Sequence, residues 1–284
     1  MAGDTLMRAP LFAAGIMGLL GVFGTSEPAQ RLSQEAKKDM VRALLKSLET
    51  KDPKPLGFIN PKKYIQHNPR VEDGLAGFKK FVSGLPKETQ VNTVRVFADG
   101  DYIVAHSEVT LASPQIVFDI FRFENGLIVE HWDNLEARCP RPNGSGRTQI
   151  DGPTEITDRD KTEANKALAN QYFEVVVIGG KRDQALKYRD QFHQHNCYGE
   201  DNKSGAQTQQ GPFAKPGFVY KVNKVHRVLG EGSAVLVVNE GLFDNQPTSF
   251  YDFYRVVDGK MVEHWDVLET LLPSAQWKNA NGKF

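Results

Sequence analysis

The sequence predicts an α+β protein made of two similar halves, in each of which helices precede an antiparallel sheet. The stretch FDIFRFENGLIVEHWD, which starts at Phe118, returns as YDFYRVVDGKMVEHWD, which starts at Tyr251. In both halves the apolar period changes from helical to alternating before this stretch. The 284 residues suffice for two ordinary domains. Because two such sheets can cover each other's open faces, we expect an intrachain pseudo-dimer.

The N-terminal segment differs from the rest of the chain. Residues 11–23 form a mostly apolar run that is too short to span a bilayer, which takes about 20 residues. The run has the length of the hydrophobic region of a signal peptide, with a cleavage pattern after Gly24, although Asp4 is unusual in a leader. We expect residues 1–30 to be a signal-like leader and the protein to be secreted or periplasmic. The alternative is a cytoplasmic protein with a disordered or membrane-tethering extension.

The first half, predicted as residues 31–140, begins with helices. Ser33 is the predicted N-cap of a helix whose apolar residues recur at helical spacing. These residues are Met40, Leu44, Leu45 and Leu48. Two prolines in KDPKPLGF end this helix, and a short helical piece is predicted around PKKYIQHNP. The segment GLAGFKKFVSGLP predicts a further helix, which ends at its proline.

Two hairpins complete the first half. Their strands alternate, and the turns are predicted at Asp99-Gly100-Asp101 and at Asn125-Gly126.

The second half, predicted as residues 160–284, repeats this order. A helix is predicted from Thr162 to Ile178, and two glycines stop it. The letters FHQHN then stand in the place of YIQHN, and two hairpins follow. Residues 141–159 are rich in glycine, proline and polar residues, which predicts a linker between the halves.

Polar side chains recur within the repeated stretch. Because side chains alternate along a strand, Asp119, Phe121 and Phe123 share one face, and His131 and Asp133 share a face of the next strand. A carboxylate beside two phenylalanines predicts an apolar pocket, where desolvation suits it to general acid–base chemistry. Asp119, His131 and Asp133 are therefore candidate catalytic residues.

Two more histidines belong to the candidates. His67 in YIQHNP is a further catalytic candidate, since a histidine at a pocket mouth can move a proton or hold a carbonyl oxygen. The predicted pocket set is His106, Phe121, Phe123 and Trp132. Packing is nevertheless the commoner role for a tryptophan at such a place.

The second half carries equivalents of most candidates. The equivalent catalytic set is Asp266, Asp252, His264 and His195. Val238 takes the place of His106 when Gly100 and Gly232 are aligned. The halves therefore differ in their polar side chains, and their activities can differ as well.

Structural roles explain the same residues. Asp119 can anchor a hydrogen bond, His131 and Asp133 can bond each other at the sheet end, and His67 can belong to a helix stop before Pro69. The repeated Glu-His-Trp-Asp can also be shared because it packs an interface. The histidines and aspartates lack the tight spacing of a zinc motif, so no metal site is predicted.

Composition narrows the partners. Lysine plus arginine equals aspartate plus glutamate at 35 each, and no polybasic run occurs. This balance argues against nucleic acid and fits a small apolar or carbonyl-containing molecule. Cys139 and Cys197 form no Cys-x-x-Cys pair, and we interpret them as reduced structural thiols. A disulfide in an exported protein and a nucleophilic pair of Cys197 with His195 are the alternatives.

The segments YIQHNP, DGLAGFKKF, GDYIVAHSE and DIFRFENGLIVEHWD together resemble the SnoaL-like polyketide cyclase branch of the NTF2-like superfamily. The resemblance covers most of residues 35–137 and again roughly 160–272, and the terminal NANGKF resembles the tail of such proteins. It implies two cone-shaped α+β barrels, each a curved antiparallel sheet with about three helices around a deep pocket. It also implies dimers through the sheets, here within one chain and with a further homodimer as an option.

The resemblance also implies chemistry. Polyketide cyclases of this kind close a ring by aldol condensation without a metal or cofactor, with an acidic residue of the sheet as acid or base. That role falls on Asp133, with Asp119 as its partner, and His67 and His131 follow from their motifs. The second half departs from the pattern at Cys197 and at EDNKSGAQTQQGPF, so the first half is expected to hold the better-preserved pocket.

Two functions follow as expectations. The first is a cofactor-independent lyase, isomerase or cyclase that uses Asp/His acid–base chemistry, of the aldol or enolate type, on a small apolar carbonyl compound. The second is a non-catalytic protein that binds a ligand or serves assembly, because a fold does not by itself decide a function.

Overall fold

The computed structural model describes residues 1, 3, 32–203 and 205–284. The predicted leader lies outside these residues apart from Met1 and Gly3, so its nature stays a prediction, as do the predicted bounds of the halves. In the described part of the chain, no helix combines the length and the apolar character that crossing a membrane requires.

The first half forms a five-stranded sheet with helices against one face. The helices are α1 (Gln34–Thr50), a 3-10 helix (Lys54–Phe58) and α2 (Gly74–Ser83). The strands are β1 (Ile65–Gln66), β2 (Gln90–Asp99), β3 (Tyr102–Thr110), β4 (Pro114–Glu124) and β5 (Leu127–Ala137), in the spatial order β1-β5-β4-β3-β2. All neighbours are antiparallel except β1, which pairs parallel with β5.

Local sequence signals explain most of these elements. The Ser33 hydroxyl accepts from the Ala36 N–H at 3.1 Å and so caps α1, as predicted. Asn125 and Gly126 have φ values of 50° and 80°, which suits the two-residue turn predicted between β4 and β5.

The prediction of a short helical piece around PKKYIQHNP is wrong. Ile65 and Gln66 instead form β1, and the His67 N–H donates to the His131 carbonyl at 2.9 Å. The backbone of this segment finds partners along the edge of β5, and that tertiary pairing outweighs the local helical preference.

The second half has its own five-stranded sheet and fewer regular helices. The helices are α3 (Thr162–Tyr172), which continues as a π-helix (Phe173–Ile178), and the short α4 (Gly205–Thr208), with 3-10 turns at Arg159–Lys161, Arg182–Lys187, Gly211–Ala214 and Ser274–Gln276. The strands are β6 (Arg189–Gln194), β7 (Tyr220–Glu231), β8 (Ala234–Phe243), β9 (Gln246–Val257) and β10 (Lys260–Thr270), in the order β6-β10-β9-β8-β7. The α+β class is confirmed for both halves.

The two sheets pack on each other through the faces that their helices leave open. Alternate residues of β4 and β5 point to this interface, where Phe118 and Trp132 join a buried cluster with Phe253 and Trp265 of the other sheet. The intervening residues, such as Phe121, point to the helices of their own half. The strand period of two therefore divides each sheet into an interface face and a helix-covered face.

The interface is reciprocal. Trp132 packs against the His67 ring of its own half, with centroids 4.6 Å apart, and against the Arg227 guanidinium of the other half, 4.0 Å from the ring. The equivalent contacts join Trp265 to His195 at 4.3 Å and to Arg95 at 4.4 Å. Such cation–π contacts are strongest where water is excluded, so each half contributes a cation to the other half's tryptophan.

The first hairpin of each half also forms an ion pair and a hydrogen bond with the other half. The Asp99 carboxylate accepts from the Gly230 N–H at 3.0 Å and pairs with Lys166 at 2.7 Å, both in the other half. The matching contacts of Glu231 are the Ala98 N–H at 2.7 Å and Lys38 at 2.8 Å.

The segment after each sheet crosses to the other half. The Asn143 side chain, in the predicted linker, donates to the Gln194 carbonyl at 2.6 Å and the Asn196 carbonyl at 3.1 Å. The Asn279 side chain, in the C-terminal tail, donates to the carbonyls of Asn68 at 2.8 Å and Val71 at 2.9 Å. The linker is therefore packed against the second half, as the tail is against the first.

A disulfide joins the halves. Cys139 and Cys197 are bonded, with Cα atoms 5.8 Å apart. The interpretation of two reduced thiols is wrong, because the linker brings Cys139 beside the FHQHN segment, a proximity that sequence spacing cannot reveal.

Replacing both cysteines by serine is expected to lower the free energy of unfolding by about 2–4 kcal/mol, since the bond closes a long loop in the unfolded chain. Urea unfolding of the Cys139→Ser/Cys197→Ser protein measures this loss. Wild-type protein kept in reductant is the control and is expected to match the variant. Two reactive thiols in wild-type protein unfolded without reductant would contradict the bond.

Candidate functional site

The first half contains a cavity of about 370 Å³ between its sheet and its helices. Its volume lies in the range of small-molecule sites. The apolar residues that line it are Leu44, Leu45, Leu48, Val71, Phe78, Phe81, Val109, Leu111, Val117, Phe121 and Leu135. Among them lie three polar candidates from the sequence, Asp119, His131 and Asp133. An apolar cavity with a few convergent polar groups is the usual form of a ligand site.

His131 and Asp119 hold one proton between them. The Gln66 Oε1 atom accepts the Asn68 backbone N–H at 2.9 Å, so it is an oxygen, and His131 Nδ1 must donate to it across 3.0 Å. On the other side of the ring, His131 Nε2 lies 3.0 Å from Asp119 Oδ1, which requires one proton in between. The pair is either imidazolium with carboxylate or imidazole with carboxylic acid, and in both forms it carries one proton that can be given away.

Asp133 faces Asp119 across β4 and β5 in direct register. Its Oδ2 atom accepts from the Asn68 side-chain amide at 2.7 Å. Its Oδ1 atom is buried and has no hydrogen-bond partner within the described residues. A buried carboxylate oxygen without a donor is costly, and the residue that carries it lines the cavity.

The other half completes this site. Glu269, at the end of β10, lines the cavity, and its carboxylate pairs with the Lys283 ammonium of the C-terminal tail at 2.6 Å. Lys283 also lies 3.7 Å from Asp133 Oδ1 and is 2% exposed. One ammonium from the second half therefore stands between two buried carboxylates, one from each half.

Four sequence-predicted site residues of the first half lie outside the cavity: Trp132, His106, His67 and Phe123. Trp132 and His106 are on the interface face: His106 stacks on Phe118 at 4.1 Å, and its Nδ1 atom accepts from the Arg95 guanidinium at 3.2 Å. Burial and the neighbouring Arg95 lower the pKa of His106 well below its usual value, so its imidazole is neutral. The pocket assignment of both residues is wrong, because their strand positions have the opposite parity to Asp119 and His131.

His67 is also displaced from the predicted pocket mouth. Its Nε2 atom contacts Glu130 at 2.9 Å and its Nδ1 atom contacts the Gly282 carbonyl at 2.8 Å. With its ring on Trp132, the side chain is engaged on all sides at the interface. Phe121 lines the cavity as predicted, whereas Phe123 packs in the same buried cluster without lining the cavity.

The second half repeats the hydrogen-bond pattern with a difference. His264 lies 2.7 Å from Gln194 Oε1 and 3.0 Å from Asp252 Oδ1, as in the first half. The second oxygen of Asp252 accepts from Asn239 at 2.8 Å. Within the described residues, the contact with His131 is the one hydrogen bond that the Asp119 carboxylate makes. Both oxygens of the Asp252 carboxylate are therefore hydrogen-bonded, whereas Asp119 has one oxygen that no described residue hydrogen-bonds and that is free to bind a ligand group.

Asp266 of the second-half set and the neighbouring Glu136 have raised pKa values. Burial, with the Asp266 charge beside it, raises the pKa of Glu136 to about 8. Burial raises the pKa of Asp266 to about 6, with His264 opposing the rise and Asp252 adding to it. Glu136 belongs to the first half and lies beside Asp266 of the second half. Glu269 is its counterpart, since it belongs to the second half and lines the first-half cavity.

Both sets bring ligand-type atoms together. The candidate ligand atoms of Asp119, His131 and Asp133 all lie within 4.8 Å of one another, as do those of the second-half set, Asp252, His264 and Asp266. Two carboxylates and an imidazole are ligands that divalent cations accept. The hydrogen bond between His131 and Asp119 would have to open for a cation to use both.

Sequence reasoning missed four residues of the site. Gln66 and Asn68 are repeated as Gln194 and Asn196 in FHQHN, a signal that was visible beside the histidines. The Asn196 side chain donates to Asp266 at 3.2 Å, as Asn68 does to Asp133. Glu269 and Lys283 carried no comparable signal, because only the packing of the halves brings them to the cavity.

A comparison with protein families matches residues 41–131 to the SnoaL-like domain family. The match covers about a third of the chain, including β1 to β4 and the histidine of the site, and it confirms the resemblance read from the sequence.

Several solved structures resemble a part of the chain that is about as long as one of its halves. TsrD from Streptomyces laurentii is 23% identical, over 37% of this chain and 92% of its own, with a TM-score of 0.33. A provisionally assigned ketosteroid isomerase from Kribbella flavida is 18% identical, over 44% and 93%, with a TM-score of 0.34. IdmH from Streptomyces antibioticus, a provisionally assigned polyketide cyclase, is 16% identical, over 34% and 90%, with a TM-score of 0.31. These are likenesses of fold alone, and no curated protein matches the chain.

The raised pKa values make stability depend on pH. Unfolded carboxyl groups titrate near pH 4, below the folded values of Asp266 and Glu136. The protonated forms of the two groups therefore add to the free energy of unfolding in full below pH 4. This contribution is lost as the pH rises through about 6, the folded pKa of Asp266, and then about 8, that of Glu136. In Glu136→Gln, the fall in the free energy of unfolding between pH 5 and pH 9 is expected to be smaller than in wild type.

Urea unfolding at several pH values in this window measures the effect. The control is Glu155→Gln, an exposed linker glutamate whose replacement is expected to leave the wild-type pH profile unchanged. A Glu136→Gln profile as steep as that of wild type would contradict the assignment.

Proposed function

We propose that the first-half cavity binds a small apolar carbonyl compound and transfers protons to and from it without a cofactor, as a lyase, isomerase or cyclase. The observation that carries the proposal is the pairing of two complementary groups in one apolar wall. Asp133 offers a carboxylate oxygen that accepts no hydrogen bond from the described residues, and Asp119 with His131 offers one shared proton. The SnoaL-like domain supports the same class of chemistry.

The proton transfers can be written with these groups. Asp133 Oδ1 takes a proton from the carbon next to the carbonyl, and the C–H electron pair moves towards the carbonyl oxygen. That oxygen takes the proton shared by Asp119 and His131, which gives an enol. In an isomerisation, Asp133 returns its proton to another carbon of the conjugated enol, and the enol O–H proton goes back to the Asp119–His131 pair as the carbonyl re-forms. In a ring closure, the enol carbon attacks a second carbonyl, the enol O–H proton goes back to the pair, and the new alkoxide takes the proton from Asp133. An acid and a base placed together avoid a free enolate charge in an apolar site.

The same cavity without turnover is the second candidate function. Half of the repeated Glu-His-Trp-Asp serves assembly, since Glu130 bonds His67 and Trp132 packs on Arg227. This observation favours a protein whose repeated residues chiefly hold the sheets together and whose cavity only binds a ligand.

Exchange of α-protons for deuterium in a panel of cyclic ketones and diketones, followed by NMR, tests the two functions. Wild type is expected to accelerate exchange for at least one compound. Asp133→Asn and Asp119→Asn are expected to lower that rate at least about 100-fold, which is the lower range of general acid–base catalysis, while thermal shift shows that they still fold and bind.

The matched control is Asp266→Asn, the same change in the second half, which is expected to keep the wild-type exchange rate. Binding of a ketone without accelerated exchange, or an unchanged rate in Asp133→Asn, would reject the enzyme and leave the binding protein.

We also propose that the protein is exported. The Cys139–Cys197 disulfide supports this proposal, because disulfides persist in oxidising compartments. N-terminal sequencing of the protein recovered from its native cells is expected to begin near residue 25. A full-length protein in the cytoplasm would contradict export.

A further inference from the structure

A second cavity, of about 430 Å³, lies where the linker crosses from the first half to the second. Its walls come from the start of β4, the residues after β5, the linker, and the FHQHN segment, and the Cys139–Cys197 disulfide lies in them. It shares only Ala137 with the first cavity. Asp119, His131 and Asp133 do not line this second cavity, so the chemistry proposed for the first cavity does not explain it.

The charged groups of this cavity are all basic. Arg138, Arg141 and Arg147 line it, and among the described residues that form its walls there is no aspartate or glutamate. Arg138 pairs with Glu108 at 3.1 Å and Arg147 with Asp201 at 2.8 Å, both carboxylates lying outside the walls.

Arg141 differs from the other two arginines. Its side chain is exposed at the rim, and within the described part of the chain it has no ion-pair partner. The cavity therefore keeps one uncompensated guanidinium, a group whose fork of donors matches a carboxylate.

Gln149 supplies an independent observation. Its Oε1 atom accepts the Cys139 backbone N–H at 2.8 Å, which fixes the orientation of the amide. The Nε2 atom is then a donor, and it is buried without a hydrogen-bond partner in the described structure. The residue is 4% exposed and lines the cavity. Buried donors are normally satisfied, so an orphaned one in a cavity wall indicates a missing acceptor.

Much of the remaining wall is apolar, although Ser113, Asn143, Thr148 and His195 also line it. Pro114, Ile116, Pro140, Pro142 and Ile150 line it together with the disulfide. A ligand that satisfies the whole cavity therefore needs an anionic acceptor for Arg141 and Gln149 and a compact apolar body for the other side.

We propose that this second cavity binds a small organic carboxylate with an apolar body. The carboxylate meets the Arg141 guanidinium and the Gln149 amide, and the body packs on the prolines and isoleucines. Because the walls belong to both halves and to the linker, the bound anion also strengthens the junction between them. The proposal is independent of the chemistry proposed for the first cavity.

Isothermal titration of the full chain with benzoate tests the proposal. Saturable binding is expected, at least about tenfold tighter than that of benzyl alcohol, which lacks the charge, or of inorganic phosphate, which lacks the body. Arg141→Met is expected to weaken benzoate binding about tenfold, and the fold is expected to persist because Arg141 has no partner to lose. The control is Arg42→Met, an exposed arginine of α1 that lines neither cavity.

NMR of the wild-type chain gives a second readout that needs no variant. The side-chain NH₂ resonances of Gln149 are expected to shift during the benzoate titration, with the same midpoint as the calorimetry. Absence of saturable benzoate binding overturns the proposal. Equal benzoate affinity in Arg141→Met and wild type also overturns it, and if Asp133→Asn alone changes the benzoate affinity, the benzoate occupies the first cavity instead.

Discussion

The packing of two sheets through their open faces is the constraint on which the rest of the structure depends. Each five-stranded sheet has helices on one side only, so its other side needs a partner. The partner is the other half of the same chain, and the shared core holds Phe118, Trp132, Phe253 and Trp265. Because side chains alternate along a strand, placing one residue in this interface places its neighbours in the helix-covered cavity.

This alternation explains why Glu-His-Trp-Asp occurs twice. Glu130 and Trp132 belong to the interface, where they hold His67 and Arg227. His131 and Asp133 belong to the cavity, where they stand beside Asp119. Assembly and the candidate chemistry therefore occupy alternate positions of one strand, and a shift of register by one residue would exchange them.

Exchange between the halves extends beyond the interface core. Each half supplies a cation to the other's tryptophan, a glutamate to the other's site, and a terminal segment that crosses to the other side. The exchange is not fully symmetric, since Lys283 stands beside Asp133 in the first-half site. Asp119 keeps one carboxylate oxygen without a hydrogen-bond partner among the described residues, whereas the corresponding oxygen of Asp252 accepts from Asn239. We interpret the second half as the one more committed to structure.

The sequence by itself determined the local features of this protein. The repeat, the Ser33 cap, the turn at Asn125-Gly126 and the shared face of Asp119 and Phe121 follow from residue type and spacing, which act over a few residues. Only the tertiary structure decided which face became the cavity, that Ile65 and Gln66 form a strand, and that Cys139 meets Cys197. It also brought Glu269 and Lys283 to the first-half site. These outcomes depend on contacts between residues far apart in the chain, and such contacts arise from the burial of whole surfaces, which no short stretch of sequence encodes.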